Sequence, residues 1–408
     1  MNSVWPVIDF LVANHLTLLL GGVVAFILTY VATYGVLALC RKMNWFEPVV
    51  AHKVHKEALA RLGGLAIFVA FLLSSLLFYL PTLAVQPGVS EMIFGHAVSK
   101  ELVIYSLFLV SSLLIVLVHA YDDVKGMRPL PKMLAQTVAV LILMGPGLHS
   151  FHGVLFFGFH NPFVHQPPVA GAAVPWYQQP ELTLFIHEPV VSWLTIPAVL
   201  FTWFWFVGMM NAINFMDGLD GLAAGIVAIA GLFVTIISLE LSQYTIATLA
   251  AIFTGAVAGF LPHNWHPARI IMGDSGSQFL GIALAMLSIM GGAKFALILM
   301  ILGIPILDIA WVAVNRLRRG QNPMQRDLLP QYSHKTHLHY RLLFGGLSAR
   351  QICYIFYATT ALFGLSALFL TGIFKFLGFS LVGLIVCLLF WSSIYLQYKA
   401  TRSKQHQA

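Results

Sequence analysis

Long apolar runs separated by short polar joins set the rhythm of this chain. Runs close to the ~20 residues that cross a bilayer fall at His15–Cys40, Leu62–Leu80, Leu102–Tyr121, Met133–Leu148, Trp193–Met210, Gly221–Leu239, Tyr244–Leu261, Gln278–Met290, Phe295–Val314, Ile352–Ile373 and Phe376–Leu396. The fourth and eighth are the shortest. In lipid a helix satisfies its own backbone hydrogen bonds. The pattern therefore predicts an all-α polytopic membrane protein with about 11 transmembrane helices.

The joins are unequal. The one between the fifth and sixth runs reads Asn211-Ala-Ile-Asn214-Phe-Met-Asp217-Gly-Leu-Asp220-Gly-Leu, with a polar group every third residue. At about 100° per residue, Asn211 and Asp220 would face opposite ways on one continuous helix. A break is therefore expected. Gly218 and Gly221 make it cheap, and Asp217 is a suitable N-cap for the next helix. Charges beside hydrocarbon cost several kcal/mol unless hydrated, paired or cation-bound, so this join is predicted to be functional.

Composition agrees with the runs. With 59% hydrophobic and 9% charged residues over 408 positions, a soluble domain is excluded. The N-terminus lacks a basic n-region and a small-residue cleavage site, so the first run is expected to be a span. Cys40, Cys353 and Cys387 lie in or beside apolar runs without paired spacing, which argues against a disulfide framework or a zinc site. The net charge of +7 reads as loops facing anionic lipid rather than as nucleic-acid binding.

Lys and Arg orient the spans. With the N-terminus outside and the C-terminus cytoplasmic, 19 of the 22 basic residues fall in segments 41–61, 122–132, 315–350, at Arg269 and in the tail, leaving Lys100, Lys294 and Lys375 outside. Segment 149–192 becomes an extracytoplasmic loop, rich in Pro, His and aromatic residues and without repeated ligand spacing. Segment 315–350 becomes a cytoplasmic loop rich in His and Arg. The Asn211–Asp220 join then shares the cytoplasmic face with His119-Ala-Tyr-Asp122-Asp123-Val-Lys125-Gly126, with Gly273-Asp274-Ser275-Gly276-Ser277, and with His334, His337 and His339 following Asp308.

Carboxylates, amides and hydroxyls without thiolates suit a hard cation such as Mg²⁺. Asp122 and Asp123 point about 100° apart on a helix, so one is expected to face the metal or a reacting group and the other a lysine. A helix start at Gly273–Ser277 offers backbone N–H groups for phosphate. Lys125, Arg128, Lys132 and the arginines of 315–350 add phosphate-binding charge. Phosphoryl transfer needs positioned phosphates, a neutralising cation and an oriented nucleophile. A membrane location suggests that one substrate is a lipid.

The ordered set Arg61-Leu-Gly63-Gly64, Asp122-Asp123 with Lys132, Asn211-xx-Asn214-xx-Asp217-Gly-Leu-Asp220-Gly-Leu, Gly273-Asp-Ser-Gly-Ser277, Pro305-xx-Asp308 and His337-Leu-His339 resembles the polyprenyl-phosphate N-acetylhexosamine-1-phosphate transferases, over roughly residues 15–396. The resemblance implies one transmembrane transferase domain over 1–408 in the bacterial cytoplasmic (inner) membrane. It implies transfer of a sugar-1-phosphate from a UDP-N-acetylhexosamine to undecaprenyl phosphate with release of UMP, dependent on Mg²⁺ or, alternatively, Mn²⁺. By resemblance Asn214 and Asp274 are metal ligands. Asp122 and Asp123 orient or deprotonate the lipid phosphate, and Lys132 neutralises a phosphate. Asp217, counted with the catalytic acids, and Asp220 sit where the family contacts the nucleoside. His337, His339 and Arg341 match the loop over the sugar and diphosphate, and the His-Leu-His pattern is closer to the N-acetylglucosamine branch than to the muramoyl-pentapeptide branch.

The chain departs from the family pattern at Tyr340, where a third histidine is usual, at His334, where an acid is usual, and at Ile271, where an aromatic is usual. These positions bear on sugar identity more than on reaction type. Two alternatives stand beside this reading: a phospho-MurNAc-pentapeptide transferase, and a cation-coupled secondary transporter. Transporters place such acids at mid-membrane in repeated halves, whereas here they gather at one face. A homodimer stays open.

Overall fold

The computed structural model describes residues 16–46, 59–85, 90–93, 96–146, 151–155, 158–160, 181–183, 196–290 and 337–369, with scattered positions in 308–318 and 377–392. The described helices are α1 (Leu16–Met43), α2 (Gly63–Ser74), α3 (Leu80–Val85), α4 (Lys100–Lys125), α5 (Pro129–Met144), α6 (Ile196–Met216), α7 (Leu222–Glu240), α8 (Tyr244–Asn264), α9 (Gly273–Met290), α10 (Leu338–Phe344) and α11 (Ala349–Phe369). A π-helical turn, Ser75–Tyr79, joins α2 to α3, so Gly63–Leu83 reads as one span. Among the described residues seven helices are long and apolar enough to cross a membrane. The chain is a multi-pass membrane protein. The runs at 295–314 and 376–396 lie mostly outside the described residues.

Among the described residues the helical expectation holds except at two short antiparallel pairs. Ser90–Ile93 (β1) pairs with His96–Ser99 (β2), and Gly158–His160 (β3) with Glu181–Thr183 (β4). Both lie in joins between apolar runs, where water or neighbouring polar groups can satisfy strand edges.

Two helix boundaries move from the apolar runs. α6 continues six residues past Met210 to Met216, and α9 begins five residues before Gln278. Their polar ends stay helical because neighbouring side chains, not lipid, receive them. α9 sits at the centre, packed against α2, α4 and α6 and buried along nearly its whole length.

α1 and α8 pack backbone to backbone. A methyl group at Gly255 would overlap the Gly22 carbonyl oxygen, and one at Gly259 the Phe26 carbonyl oxygen. Small residues four apart permit this approach, which drives helix association where lipid removes the hydrophobic term. Gly259→Ala should lower stability by roughly 1–3 kcal/mol, the usual cost of overpacking. The expected record is an earlier thermal unfolding midpoint in detergent, with turnover at low temperature nearly unchanged.

Candidate active site

The site grows from a backbone junction. Residues 60–64 run beside 270–272: Ile271 N–H donates to the Ala60 carbonyl at 2.8 Å, Gly63 N–H to Ile271 at 3.1 Å and Gly64 N–H to Met272 at 2.8 Å. This is the structural work of Arg61-Leu-Gly63-Gly64. Gly64 lies against the backbone of Gly276, where a Cβ would overlap its N and Cα atoms. Gly273, at φ +78°, turns the chain into α9. The start of α9 is thus pinned to the start of α2.

The last turn of α4 meets that junction. The Asp123 carboxylate is buried and accepts hydrogen bonds from Asp274 N–H (2.8 Å), Ser275 N–H (3.0 Å) and the Ser275 hydroxyl (2.8 Å). It caps α9 from another helix, which satisfies orphan donors at an N-terminus. The expectation that these N–H groups are available to phosphate is therefore corrected: Asp123 occupies them. Arg61 Nε stands 3.8 Å from the same carboxylate.

Asp122 points the other way, as the helical angle requires. One oxygen accepts Met127 N–H at 2.6 Å; the other pairs with the Lys132 ammonium. Lys132, in the first turn of α5, also donates to Asp274 Oδ2 at 2.7 Å. Asp274 Oδ1 receives Asn214 Nδ2 at 3.1 Å and Arg61 Nη2 at 3.5 Å. Asn214 also donates to Ser277 at 2.9 Å, so its amide carbonyl is directed away from these two acceptors. Asp122, Asp123, Lys132, Asn214 and Asp274 therefore meet at one end of the bundle. Ligand oxygens of Asp122, Asp123 and Asp274 lie within 4.8 Å of one another. These are hard oxygen donors, and a cationic side chain already bridges two of them. That concentration of negative charge fits a divalent cation.

Beneath the acids runs a buried amide chain that sequence reading missed. Asn211 donates to Gln136 at 3.1 Å, and Gln136 to Gln278 at 3.0 Å. It ties α6, α5 and α9 at one level. Polar residues inside spans were the available signal, but their mutual contact was not visible.

The break between α6 and α7 is present, although its cap differs from expectation. Asp217 closes α6, its N–H donating to Ile213 and Asn214 carbonyls. Gly221, at φ +77°, is the N-cap of α7, and its N–H goes to Asn264 Oδ1 at 3.0 Å. A left-handed residue at the junction and a side chain from α8 replace the Asp217 cap. Burial, reinforced by the nearby Asp274 carboxylate, pushes the half-buried Asp217 carboxyl well above the usual carboxylate range. Asp220 turns away from the acid cluster. It is buried, accepting His266 Nδ1–H at 2.7 Å and Ala268 N–H at 3.1 Å, and so holds the loop leading to α9. The four polar residues of this join thus divide among three neighbourhoods instead of converging.

The histidine segment sits on the same end. His337 stacks on Phe215, one residue after Asn214, with ring centroids 5.3 Å apart. Asp308 accepts His337 Nδ1–H at 2.9 Å and Leu338 N–H at 2.8 Å. His339 is fully buried behind His337, and neither ring nitrogen has a hydrogen-bond partner among the described residues. Burial pushes it down to about 3, so it is a neutral packing group in this arrangement. Tyr340 donates to the Gly218 carbonyl at 3.1 Å, tying the segment to the α6–α7 turn. Arg341 is buried beside Asp308 at 3.8 Å and over the Trp311 ring at 5.7 Å.

This set of groups can be compared with known proteins. The model of the family described as glycosyl transferase family 4 matches residues 105–292. A decaprenyl-phosphate N-acetylglucosaminephosphotransferase of Mycobacterium tuberculosis is 30% identical over 370 residues, 83% of this chain and 79% of the relative. The chain belongs to the polyprenyl-phosphate N-acetylhexosamine-1-phosphate transferase family. A Bacillus subtilis protein named "probable undecaprenyl-phosphate N-acetylglucosaminyl 1-phosphate transferase" is 27% identical over 358 residues, 85% of this chain and 84% of the relative. A phospho-N-acetylmuramoyl-pentapeptide-transferase of a Synechococcus strain is 38% identical over 181 residues, 42% of this chain and 48% of the relative. The stretch matched by the transferase family model runs from α4 through α9 and so holds every member of the acid cluster except Arg61.

Proposed function

We propose that this chain transfers N-acetylglucosamine-1-phosphate from UDP-N-acetylglucosamine to undecaprenyl phosphate, releasing UMP and starting a cell-envelope polysaccharide. The observation that carries the reading is the meeting of Asp122, Lys132, Asn214 and Asp274, from four separate helices, at one end of a membrane bundle. The relatives bearing N-acetylglucosamine names align over 83–85% of the chain, and the pentapeptide transferases over 42–45%. That difference in reach favours the N-acetylglucosamine branch.

In this reading about 11 spans cross the bacterial inner membrane, with the site on the cytoplasmic face, segment 149–192 outside and 315–350 inside. Asp274 would hold Mg²⁺, joined by the Asn214 carbonyl once that amide turns over from its hydrogen bonds to Asp274 and Ser277. When bound, Mg²⁺ neutralises diphosphate charge and polarises the phosphoryl group under attack. Lys132 and Arg61, both partly exposed, move from their carboxylate partners to the substrate phosphates. Asp122 orients the lipid phosphate, whose oxygen attacks the β-phosphorus. The new P–O bond forms as the bond to the bridging oxygen breaks, and UMP leaves. Asp123 holds the start of α9, and with it Asp274, in place.

A donor screen tests the reading. Purified protein with undecaprenyl phosphate should release UMP from UDP-N-acetylglucosamine, more slowly from UDP-N-acetylgalactosamine and not from UDP-muramoyl-pentapeptide. EDTA should abolish release and Mg²⁺ restore it. UMP from the pentapeptide donor alone would move the chain to the other branch.

A further inference from the structure

Asp308 is a buried acid at a described helical position, with no part in the steps above. Its two oxygens are divided between two donors. Oδ1 accepts Leu338 N–H, and Oδ2 accepts His337 Nδ1–H. A carboxylate oxygen can only accept here, so the Nδ1 of His337 carries a proton, and a ring that also carries one on Nε2 can donate from that edge to a phosphate oxygen. The plane of the ring is fixed separately. Phe215 stacks on it at 24° between planes, and the His339 ring lies nearly parallel to it at 15°. With the plane set by stacking and one edge tied to Asp308, the opposite edge has a single direction open to it. His337 retains 14% side-chain exposure, whereas His339 is at 0%. Of the two histidines, His337 is the one whose edge can reach a ligand. It stands beside the Asn214 turn of α6.

We propose that Asp308 is a positioning residue for this transferase: by holding the Nδ1–H of His337 it aims Nε2–H, as a donor, at a phosphate oxygen of the substrate. Trp311 and Arg341 complete the clamp. Arg341 lies over the Trp311 ring and close to the Asp308 carboxylate. Asp308 and Trp311 thereby grip the segment at His337 and Arg341. Partners of this kind behind a functional histidine fix tautomer and ring orientation, and their loss typically lowers activity roughly 10–100-fold.

The inference rests on the function proposed above. Its test uses full-length protein with UDP-N-acetylglucosamine and undecaprenyl phosphate, scored by UMP. Asp308→Asn turns one acceptor into a donor, so either His337 or the Leu338 amide loses its partner. The kcat/KM should fall roughly 10–100-fold, and Asp308→Glu should recover part of it. In a His337→Gln background, Asp308→Asn should add little, because the group it orients is gone. His337→Gln, whose amide reaches the Nε2 position, should retain more activity than His337→Asn, whose amide reaches the Nδ1 position. That comparison keeps Asp308 in place and decides the matter even where Asp308→Asn fails to fold. Equal losses from Asp308→Asn with and without His337, or His337→Asn as active as His337→Gln, would overturn the proposal while leaving an active wild type and its function intact. A wild type that releases no UMP would instead count against the function.

Discussion

Asp274→Asn should reduce UMP release by on the order of 10³-fold, the scale expected when a charge-stabilising group or metal ligand is lost at a phosphoryl centre. Asp274 is the node of the cluster, receiving Lys132 at 2.7 Å, Asn214 at 3.1 Å and Arg61 at 3.5 Å. An amide in its place keeps the shape and removes the charge. Lys132 then pairs with Asp122 alone, and a divalent cation loses its strongest ligand. The side chain is 17% exposed, so the folded protein should survive the change with a modest shift in unfolding midpoint. Two measurements separate the causes: UMP release for the chemistry, and Mn²⁺ binding followed by electron paramagnetic resonance for the site. A variant with wild-type turnover and wild-type Mn²⁺ affinity would remove Asp274 from the metal assignment.

Gly64→Ala should be nearly as damaging, although Gly64 carries no chemistry. Its Cβ would fall on the N and Cα of Gly276, inside the first turn of α9. Backbone meets backbone there, and no flexible side chain is available to yield. Overpacking of this kind costs about 1–3 kcal/mol, occasionally more, and the rigid contact places it at the upper end. Relief requires α2 and α9 to separate. That would stretch the Gly64–Met272 hydrogen bond and shift Asp274 relative to Asp123 and Lys132. Placement errors of about 1 Å can cost ~10²-fold in rate. The expected result is a lower unfolding midpoint together with a fall in kcat, and Gly64→Val should be worse. A stable, fully active Gly64→Ala would show that the close approach of α2 to α9 is not required.

These two residues mark how far sequence reading reached. The place of Asp274 at a helix start was legible from Gly273-Asp-Ser-Gly-Ser277, and its meeting with Lys132 and Asn214 came from the fold. The divergence of Asp122 from Asp123 was legible too, since adjacent residues on a helix must point apart. Gly64 belonged to a recognised pattern, Arg61-Leu-Gly63-Gly64, but its role needed Gly276, more than 200 residues away. Asp123 is the same case. Its partners are backbone N–H groups of residues 274 and 275, which no spacing rule connects to it. The turn of Asp220 toward His266 and the burial of His339 likewise depend on segments that meet only in the folded bundle.

By itself the sequence determined the class of the protein, the described spans, the break after α6 and the reaction chemistry available at one membrane face. Hydrocarbon enforces these features residue by residue, through the cost of burying charge and the need for helices to satisfy their own backbones. Only the tertiary structure decided which polar groups meet at one end of the bundle and which hold the frame: Asp123 as a cap on α9, Gly64 as a contact, Asp308 against His337. Those roles follow from distances between elements far apart in the chain, and packing sets such distances, not local preference.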